Sequence, residues 1–313
     1  MSVSSQNTVI ATGSIPRLLQ EGVRKIFGDS LAEWDAKYNK IFEVMSSKKA
    51  YELFVQLEGF GLAAEKDQGD DITFDSRLQG FSPKFIHTTY AKGYIVTEEA
   101  LDDELYGQLD KGARALARAM NITREVEAHA ILNDGWTSSA TMVDGDGVQL
   151  FSLVHPNGPA GGTYSNRLAV EADLSEASLE DALALIGRMT DARGLPAMVT
   201  SERLVVATGT NEFNAQRIMG SVLQNDTGNN ATNALRDLNL IKKGWMSTPY
   251  LTQQNAWFLT TNAPEGLTFF QRKDVVFGQD NSFTTGNARF KASMRQSAGW
   301  GDAHGAVGGS SGV

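Results

Sequence analysis

The clearest periodic pattern of apolar residues lies between residues 97 and 133. Apolar side chains follow one helical face there: Leu101, Leu105, Leu109, Leu116, Met120, Val126 and Ile131. Thr97 is a suitable N-cap, acidic residues fill the first turns, and Asn133-Asp134-Gly135 ends the pattern. A helix over 97–133 would span about 55 Å, whereas a compact chain of this length has a radius of gyration of about 20 Å. The pattern therefore predicts a long helix in a flat or elongated molecule.

Two runs before this helix have the composition of strands. Residues 72–78 begin with alternating apolar and polar positions, and residues 84–90 are rich in β-branched and aromatic side chains. Residues 79–83 would turn the chain between them. Because an isolated two-stranded hairpin is marginal in water, the hairpin needs the body of this chain or a neighbouring chain to cover it.

Weaker patterns predict the other elements. Pro16 lies near the first turn of a helix that Ser14 can cap, and Asp29 or Ser30 can start a second helix that carries Leu31, Trp34 and Tyr38. Alternating helices and strands follow: a helix capped by Ser175 or Ser178 with Leu179, Leu183, Ile186 and Met189 on one face, a helix over 211–223, and strands over 203–208, 238–241, 257–261, 268–271, 275–277 and 288–294. Residues 224–233 form a polar loop, and the Gly/Ser-rich residues 305–313 are predicted to fray.

Composition narrows the class of function. The chain has no Cys, which excludes disulfides, thiolate catalysis and Cys-based zinc sites. Its net charge of −9 disfavours general nucleic-acid binding. The charge is uneven, with twelve acidic and four basic residues over 57–110 but five acidic and eight basic over 234–313. Such segments suit contacts between copies of one chain. Neither a signal peptide nor a membrane span is expected.

Motifs for chemistry are weak. Glu125 and His129 share a helix face, and a surface pair is favoured over half a metal site. Asp144-Gly-Asp-Gly lacks the later ligands of a calcium loop. Gly59-Phe-Gly61-Leu-Ala-Ala64 matches a dinucleotide fingerprint, but no apolar helix face follows it. We therefore predict no catalytic residue, no cofactor, no metal site and no enzyme activity, with a nucleotide-dependent enzyme kept as an alternative.

Four stretches together resemble the major head subunit of Mu-like tailed phages and prophages. They are Leu150-Phe-Ser-Leu-Val-His-Pro-Asn157, Asp173-Leu-Ser-Glu-Ala-Ser-Leu-Glu-Asp-Ala-Leu183, Pro249-Tyr-Leu-Thr-Gln-Gln-Asn-Ala-Trp-Phe-Leu259 and Gly299-Trp-Gly-Asp-Ala-His-Gly305. The resemblance implies an α+β fold of the phage Hong Kong 97 capsid type. Its parts would be an N-terminal arm (1–56), an extended β-hairpin loop (57–95), a peripheral domain (96–175) with a spine helix (97–133), an axial α/β domain (176–267), and return strands with a C-terminal tail (268–313).

The resemblance also implies a function. A protein of this family would self-assemble through pentamers and hexamers into an icosahedral shell that encloses double-stranded DNA without reading its sequence. Scaffold, portal and head-completion proteins would be its partners, and it would be assembled in the bacterial cytoplasm and reside in the virion. The hairpin would contact a neighbouring subunit through Phe74, Phe81, Phe85, Ile86 and Tyr90, and a loop with Asn225, Asp226, Asn229 and Asn230 would lie near the symmetry axes. A nanocompartment shell of the same fold, similar to an encapsulin, is the alternative.

Overall fold

A computed structural model describes residues 16–57, 59–69, 71–77, 79–97, 99, 106–158, 161–223, 232–282 and 287–310. Five α-helices occur among the described residues: α1 Pro16–Ala32, α2 Tyr106–Asn133, α3 Glu176–Gly187, α4 Thr210–Gly220 and α5 Ala234–Asp237. The described strands are β1 Glu43–Ser46, β2 Tyr51–Leu53, β3 Lys84–Ile86, β4 Thr88–Val96, β5 His155–Pro156, β6 Thr163–Tyr164, β7 Ser201–Ala207, β8 Trp245–Thr248, β9 Trp257–Thr261, β10 Leu267–Asn281, β11 Ala288–Trp300 and β12 Ala306–Ser310.

The chain divides into two compact units. Unit 1 contains the described parts of Met1–Ala36, Thr89–Arg124 and Lys273–Arg295, and unit 2 contains those of Lys37–Thr88, Glu125–Arg272 and Gln296–Val313. These units do not coincide with the predicted arm, loop, peripheral and axial segments, whose bounds stay a prediction.

Unit 1 packs two helices on a sheet. In the strand order β10-β11-β4, the strand β11 turns alternate residues inward, and its buried positions include Phe290 and Met294. The inward residues meet Phe27 of α1 and Leu116 of α2 in one apolar core. The ring of Tyr94 stacks on that of Phe290 at 4.8 Å. The period of two in β11 and of three to four in the helices thus places one apolar face of each element in the core.

Unit 2 is built on a second sheet with the order β12-β9-β7-β8. The strands β12 and β9 are antiparallel, β9 and β7 are antiparallel, and β7 and β8 are parallel, with Leu204 opposite Trp245. One core contains Leu204 and Trp257 of the sheet together with buried residues of α3, α4 and α5. Successive residues of β9 point to opposite faces of the sheet, so Phe258 does not join this core, and its ring stacks on that of Phe151 at 5.1 Å.

Most of the predicted elements in unit 2 are present. The helix α3 begins after Ser175, whose hydroxyl accepts the backbone N–H of Ser178 in a capping box. The predicted strand over 257–261 has the predicted bounds, while the runs predicted over 268–271 and 275–277 belong to one strand, β10. The predicted strand over 238–241 is wrong, because α5 ends at Asp237, residues 238–241 form a turn and a bend, and the strand that follows is β8.

Two terminal predictions are also wrong. The helix predicted from Asp29 or Ser30 does not exist as a separate element, because α1 runs to Ala32 and Trp34 lies outside any helix. The Gly/Ser-rich end does not fray over its described part: β12 is fully buried against β9. A Cβ atom at Gly309 would overlap the ring of Trp257, so this position needs glycine for the close approach.

The long helix ends where the sequence predicts, at Asn133, and most of its predicted first turns, residues 98 and 100–105, lie outside the described residues. The helix α2 has 28 residues, which corresponds to about 42 Å. Leu109, Leu116 and Met120 are buried as the pattern predicts, but Val126 is half-exposed. Glu125 and His129 take the buried positions instead. The predicted positions Leu101 and Leu105 lie outside the described residues.

Candidate assembly surfaces

A two-stranded ribbon in unit 2 leads to an exposed excursion of the chain. The strands β2 and β3 are antiparallel, with Glu52 opposite Phe85. Their ladder continues outward through the N–H of Gln56, which donates to the carbonyl of Phe81 at 3.0 Å, and through a bridge between Leu57 and Gln79. Beyond this bridge, residues 59–77, here called the exposed loop, contain no strand among their described positions.

The predicted hairpin is therefore corrected in its first strand. Residues 72–77 are not a strand, and the partner of β3 is β2, which precedes the exposed loop in the sequence. The alternation that suggests a strand over 72–78 has no ladder to join, since β3 already pairs with β2 on one edge. The second predicted run, 84–90, is present as β3 and the start of β4.

The exposed loop carries large apolar side chains in solvent. Leu62 is 83% exposed and Phe74 is 90% exposed, and Phe60 and Ile72 are more than half exposed. Contiguous exposed apolar surface on a soluble chain marks an interaction site. The stretch 57–79 also has six acidic and two basic residues, so any partner surface must match both apolar and negative groups.

The five predicted contact residues lie in different environments. Phe74 is on the exposed loop, and Ile86 is 55% exposed on β3. Phe81 is half-buried on the returning leg of the ribbon, and Tyr90 packs against the core of unit 1. Phe85 is buried edge-to-face against Phe270, so it has no free surface for a neighbour and we remove it from the contact set. Phe85 and Ile86 differ because successive residues of a strand point to opposite faces.

The predicted axial residues Asn225, Asp226, Asn229 and Asn230 lie outside the described residues. The stem of their loop is described, and it is closed by a bridge between Leu223 and Thr232. The buried amide of Asn233 donates to the carbonyls of Ile218 and Ser221, and its oxygen accepts the N–H of Arg236. One side chain thus joins the end of α4 to the start of α5.

A buried cluster brings together two of the sequence stretches that resemble the phage family. Asp146 accepts Nδ1–H of His155 at 2.6 Å, and Asp302 lies 2.6 Å from Nδ1 of His304. The ring of Tyr164 lies between the two imidazoles, 5.2 Å from His155 and 4.0 Å from His304. Burial raises the pKa of Tyr164 well above its usual value, and the nearby carboxylates add to this.

The surroundings of His304 favour its protonated form. Burial opposes the charged imidazole, but the hydrogen bond and the charge of Asp302 outweigh burial and raise the pKa of His304 above its usual value. Its Nε2 faces the carbonyl of Thr190 at 3.2 Å. Both partners are acceptors, and the imidazolium, in which both ring nitrogens carry a proton, can donate to both.

Glu125 and His129 form a second buried group and not the predicted surface pair. Both side chains are fully buried on α2. The carboxylate of Glu125 accepts the backbone N–H groups of Lys37 and Tyr38 at 2.6 and 3.0 Å. Nε2 of His129 lies 3.0 Å from the hydroxyl of Thr248, and burial lowers the pKa of this imidazole. The carboxylate thus anchors the start of a short 3-10 helix, Tyr38–Lys40.

The alternative chemistries gain no support from the described residues. Among them, no cluster of three or more His, Asp or Glu side chains has the geometry to hold a metal ion. The glycines at 59 and 61 are followed, over residues 62–69, by irregular and turn residues in place of the helix that a dinucleotide site requires. No described helix has an apolar stretch of the length that a bilayer requires.

Comparison with known proteins shows the family to which the chain belongs. The family model described as phage capsid protein matches residues 84–308, well over half of the 313 residues. The chain belongs to the phage capsid protein family. The match begins at β3 and ends in β12, so it includes the His155–Tyr164–His304 cluster and the side chains of Glu125 and His129. No curated protein matches the chain.

Solved capsids share the fold of this capsid protein. The procapsid protein of bacteriophage JBD30 is 16% identical, with a TM-score of 0.54 over 96% of this chain and 76% of that chain. The Microbacterium phage Oxtober96 protein is 8% identical, with a TM-score of 0.53 over 88% and 90% of the two chains. The capsid protein of cyanophage P-SCSP1u is 12% identical, with a TM-score of 0.52 over 87% of each chain.

Family and fold together define the class of protein. The fold is the predicted α+β capsid fold of the Hong Kong 97 type, and the family makes the chain a major capsid protein of a tailed phage, a structural protein of the virion. The Mu-like assignment is finer than these matches and stays a prediction.

Proposed function

We propose that this capsid protein assembles through pentamers and hexamers into an icosahedral head that encloses double-stranded DNA. The observation that carries the proposal is the exposed loop, because a lone subunit leaves Phe60, Leu62, Ile72 and Phe74 in water. Full burial of one such side chain contributes about 1.5–3 kcal/mol. A second copy of the chain can supply that burial, and the same contact then repeats at every subunit of a closed shell.

Charge supports contact between copies. The exposed loop lies in an acidic stretch of the sequence, whereas the outward-facing residues of β11 include the exposed Arg289 and Lys291. Opposite charges on two surfaces of one chain favour association of different faces, which is the geometry that closes rings. We infer that the loop of one subunit overlaps a neighbour, with Phe74 and Ile86 at the contact.

The partners follow from this role. A subunit of such a head would meet scaffold, portal and head-completion proteins during assembly in the bacterial cytoplasm. It would confine DNA without reading its sequence, since the chain is acidic overall.

Electron microscopy of the purified chain tests the proposal. We expect closed shells from the wild type. Replacement of residues 60–76 by a short Gly/Ser linker should leave soluble subunits, because the ribbon up to Leu57 and Gln79 is retained and closing a shorter loop is inexpensive. A full-length control with Phe60, Leu62, Ile72 and Phe74 changed to Ser separates the loss of apolar contact from the loss of length. Normal shells from both variants would contradict the role of the loop, and a wild type that forms no shells would contradict the function.

A further inference from the structure

A tight turn in unit 2 presents Arg193 at its tip. The carboxylate of Asp191 accepts the N–H groups of Arg193 and Leu195 at 2.9 and 2.8 Å. Gly194 has φ +76°, a conformation that glycine adopts without strain, and Thr190 and Pro196 bridge the base of the turn. The position of Arg193 is therefore fixed by its own backbone.

Two residues from the sequence stretches that resemble the phage family hold this turn from below. The amide of Asn157 donates to the carbonyl of Asp191 at 2.7 Å. Nε2 of His304 donates to the carbonyl of Thr190 at 3.2 Å, while Asp302 orients its ring. These side chains are themselves largely buried, so the turn is a rigid platform.

Arg193 reaches from this platform to the exposed loop. Its Nη2 donates to the carbonyl of Ser76 at 2.7 Å and lies 3.6 Å from the carboxylate of Asp75. That carboxylate also accepts the N–H groups of Gly61 and Ser76 at 2.9 and 2.8 Å, and these hydrogen bonds, with Arg193, lower the pKa of Asp75. One arginine is thus connected to both legs of the loop through a single aspartate.

Packing contributes little to the position of the loop near Arg193, because a cavity separates the loop from the body of unit 2. A cavity of about 540 Å³ lies between the legs of the ribbon and the body of unit 2, lined by Leu57 and Arg77 on one side and by Asp302 and His304 on the other. A second polar tie, from the amide of Gln56 to the carbonyl of Gly301 at 2.8 Å, lies nearer the base. Among the described contacts, the hydrogen bond and ion pair of Arg193 lie farther along the loop than this tie and connect its outer part to the body of unit 2.

We propose that Arg193 is the positioning residue that sets the direction of the exposed loop on its own subunit before a neighbouring copy binds it. The inference rests on the proposed assembly function. A loop held in one direction loses less conformational entropy when a partner orders it, so association is favoured without any new contact. An exposed ion pair alone would stabilise the subunit little, so the effect is expected in loop order and in assembly and not in subunit stability.

Arg193→Ala tests this role, with Arg217→Ala as the matched control on the exposed side of α4. In free subunits, we expect chymotrypsin to cleave after Phe74 roughly five-fold faster in Arg193→Ala, the effect of losing about one hydrogen bond. Shell formation should slow by a similar factor, while the thermal midpoint stays at the wild-type value. Arg193→Lys should fall between, because an ammonium cannot reproduce the planar fork of guanidinium.

Exchanging the two charges of the ion pair separates the positioning role of Arg193 from an effect on subunit stability. Asp75→Arg combined with Arg193→Asp should recover part of the protection that either single change loses, which a purely structural role of Arg193 would not give. Cleavage and assembly rates within two-fold of wild type in Arg193→Ala would overturn the proposal even if wild-type shells form. Absence of wild-type shells would overturn the function instead, and the cleavage rates would still decide whether Arg193 holds the loop.

Discussion

Replacement of Glu125 gives the sharpest test of the buried polar structure. Its two carboxylate oxygens each accept one backbone N–H, from Lys37 and Tyr38, inside unit 2. Glu125→Ala removes both acceptors and opens a cavity on α2. Glu125→Gln keeps the volume but turns one acceptor into an NH₂ group that faces another donor.

The size of the effect follows from these two bonds. A hydrogen bond to a charged group contributes about 1.5–3 kcal/mol. We therefore expect Glu125→Gln to lower the free energy of unfolding by about 2 kcal/mol, the loss of one such bond. For Glu125→Ala we expect about 3–5 kcal/mol, because two donors are left without an acceptor and a fully buried side chain is truncated.

Urea unfolding of free subunits, followed by tryptophan fluorescence, measures both values. Glu180→Gln is the matched control, because Glu180 lies on the exposed side of α3 and its change should stay within about 0.5 kcal/mol. If Glu125→Gln also stays within that margin, the carboxylate does not stabilise the subunit in the way that its contacts indicate.

Three further outcomes are expected. Gly309→Ala should lower the unfolding free energy by about 1–3 kcal/mol in urea titrations, because its methyl group would overlap Trp257, and unchanged stability would contradict the close approach. The pKa of His304 is raised above 6.5 in the folded state, so its pairing with Asp302 stabilises the fold fully below pH 6.5, and this stabilisation is lost as the pH rises through the folded pKa. The difference in unfolding free energy between wild type and His304→Asn should therefore shrink from pH 5.5 to pH 8.5. A constant difference would refute this. Lys291→Glu should weaken shell assembly in light scattering at low salt, and less so at 1 M salt, where charges are screened; equal weakening at both would argue against an electrostatic contact.

Local patterns account for the elements that the sequence predicts well. The start of α3 needs only Ser175 and its capping box, which are neighbours in the chain. The strand β9 is a short run of apolar and β-branched residues between polar turns, and its bounds match. For α3 the deciding contacts are local in the chain, and for β9 the burial is so complete that the run of apolar residues alone predicts the strand.

The buried polar groups could not be predicted from the sequence, since their partners are distant. Glu125 binds backbone groups 87 and 88 residues away, and His129 meets Thr248 across 119 residues. A glutamate and a histidine on one helix face are usually exposed, so sequence reasoning placed Val126 in the apolar stripe instead. A hint is present: Glu125 and His129 continue the four-residue spacing of Ala117 and Asn121, whereas Val126 does not.

The exposed loop shows where sequence reasoning reaches its limit for a protein that works by association. The pattern over residues 72–78 correctly marks apolar side chains that no core of this chain requires, yet it assigns them to a strand that the subunit does not form. A strand needs a partner edge, and β3 has its partner in β2. Composition can show that Phe74 needs burial, but only contacts outside the subunit can provide it. We infer that the choice of those residues reflects the assembled state and that Arg193 and Asp75 set the loop conformation in the free subunit.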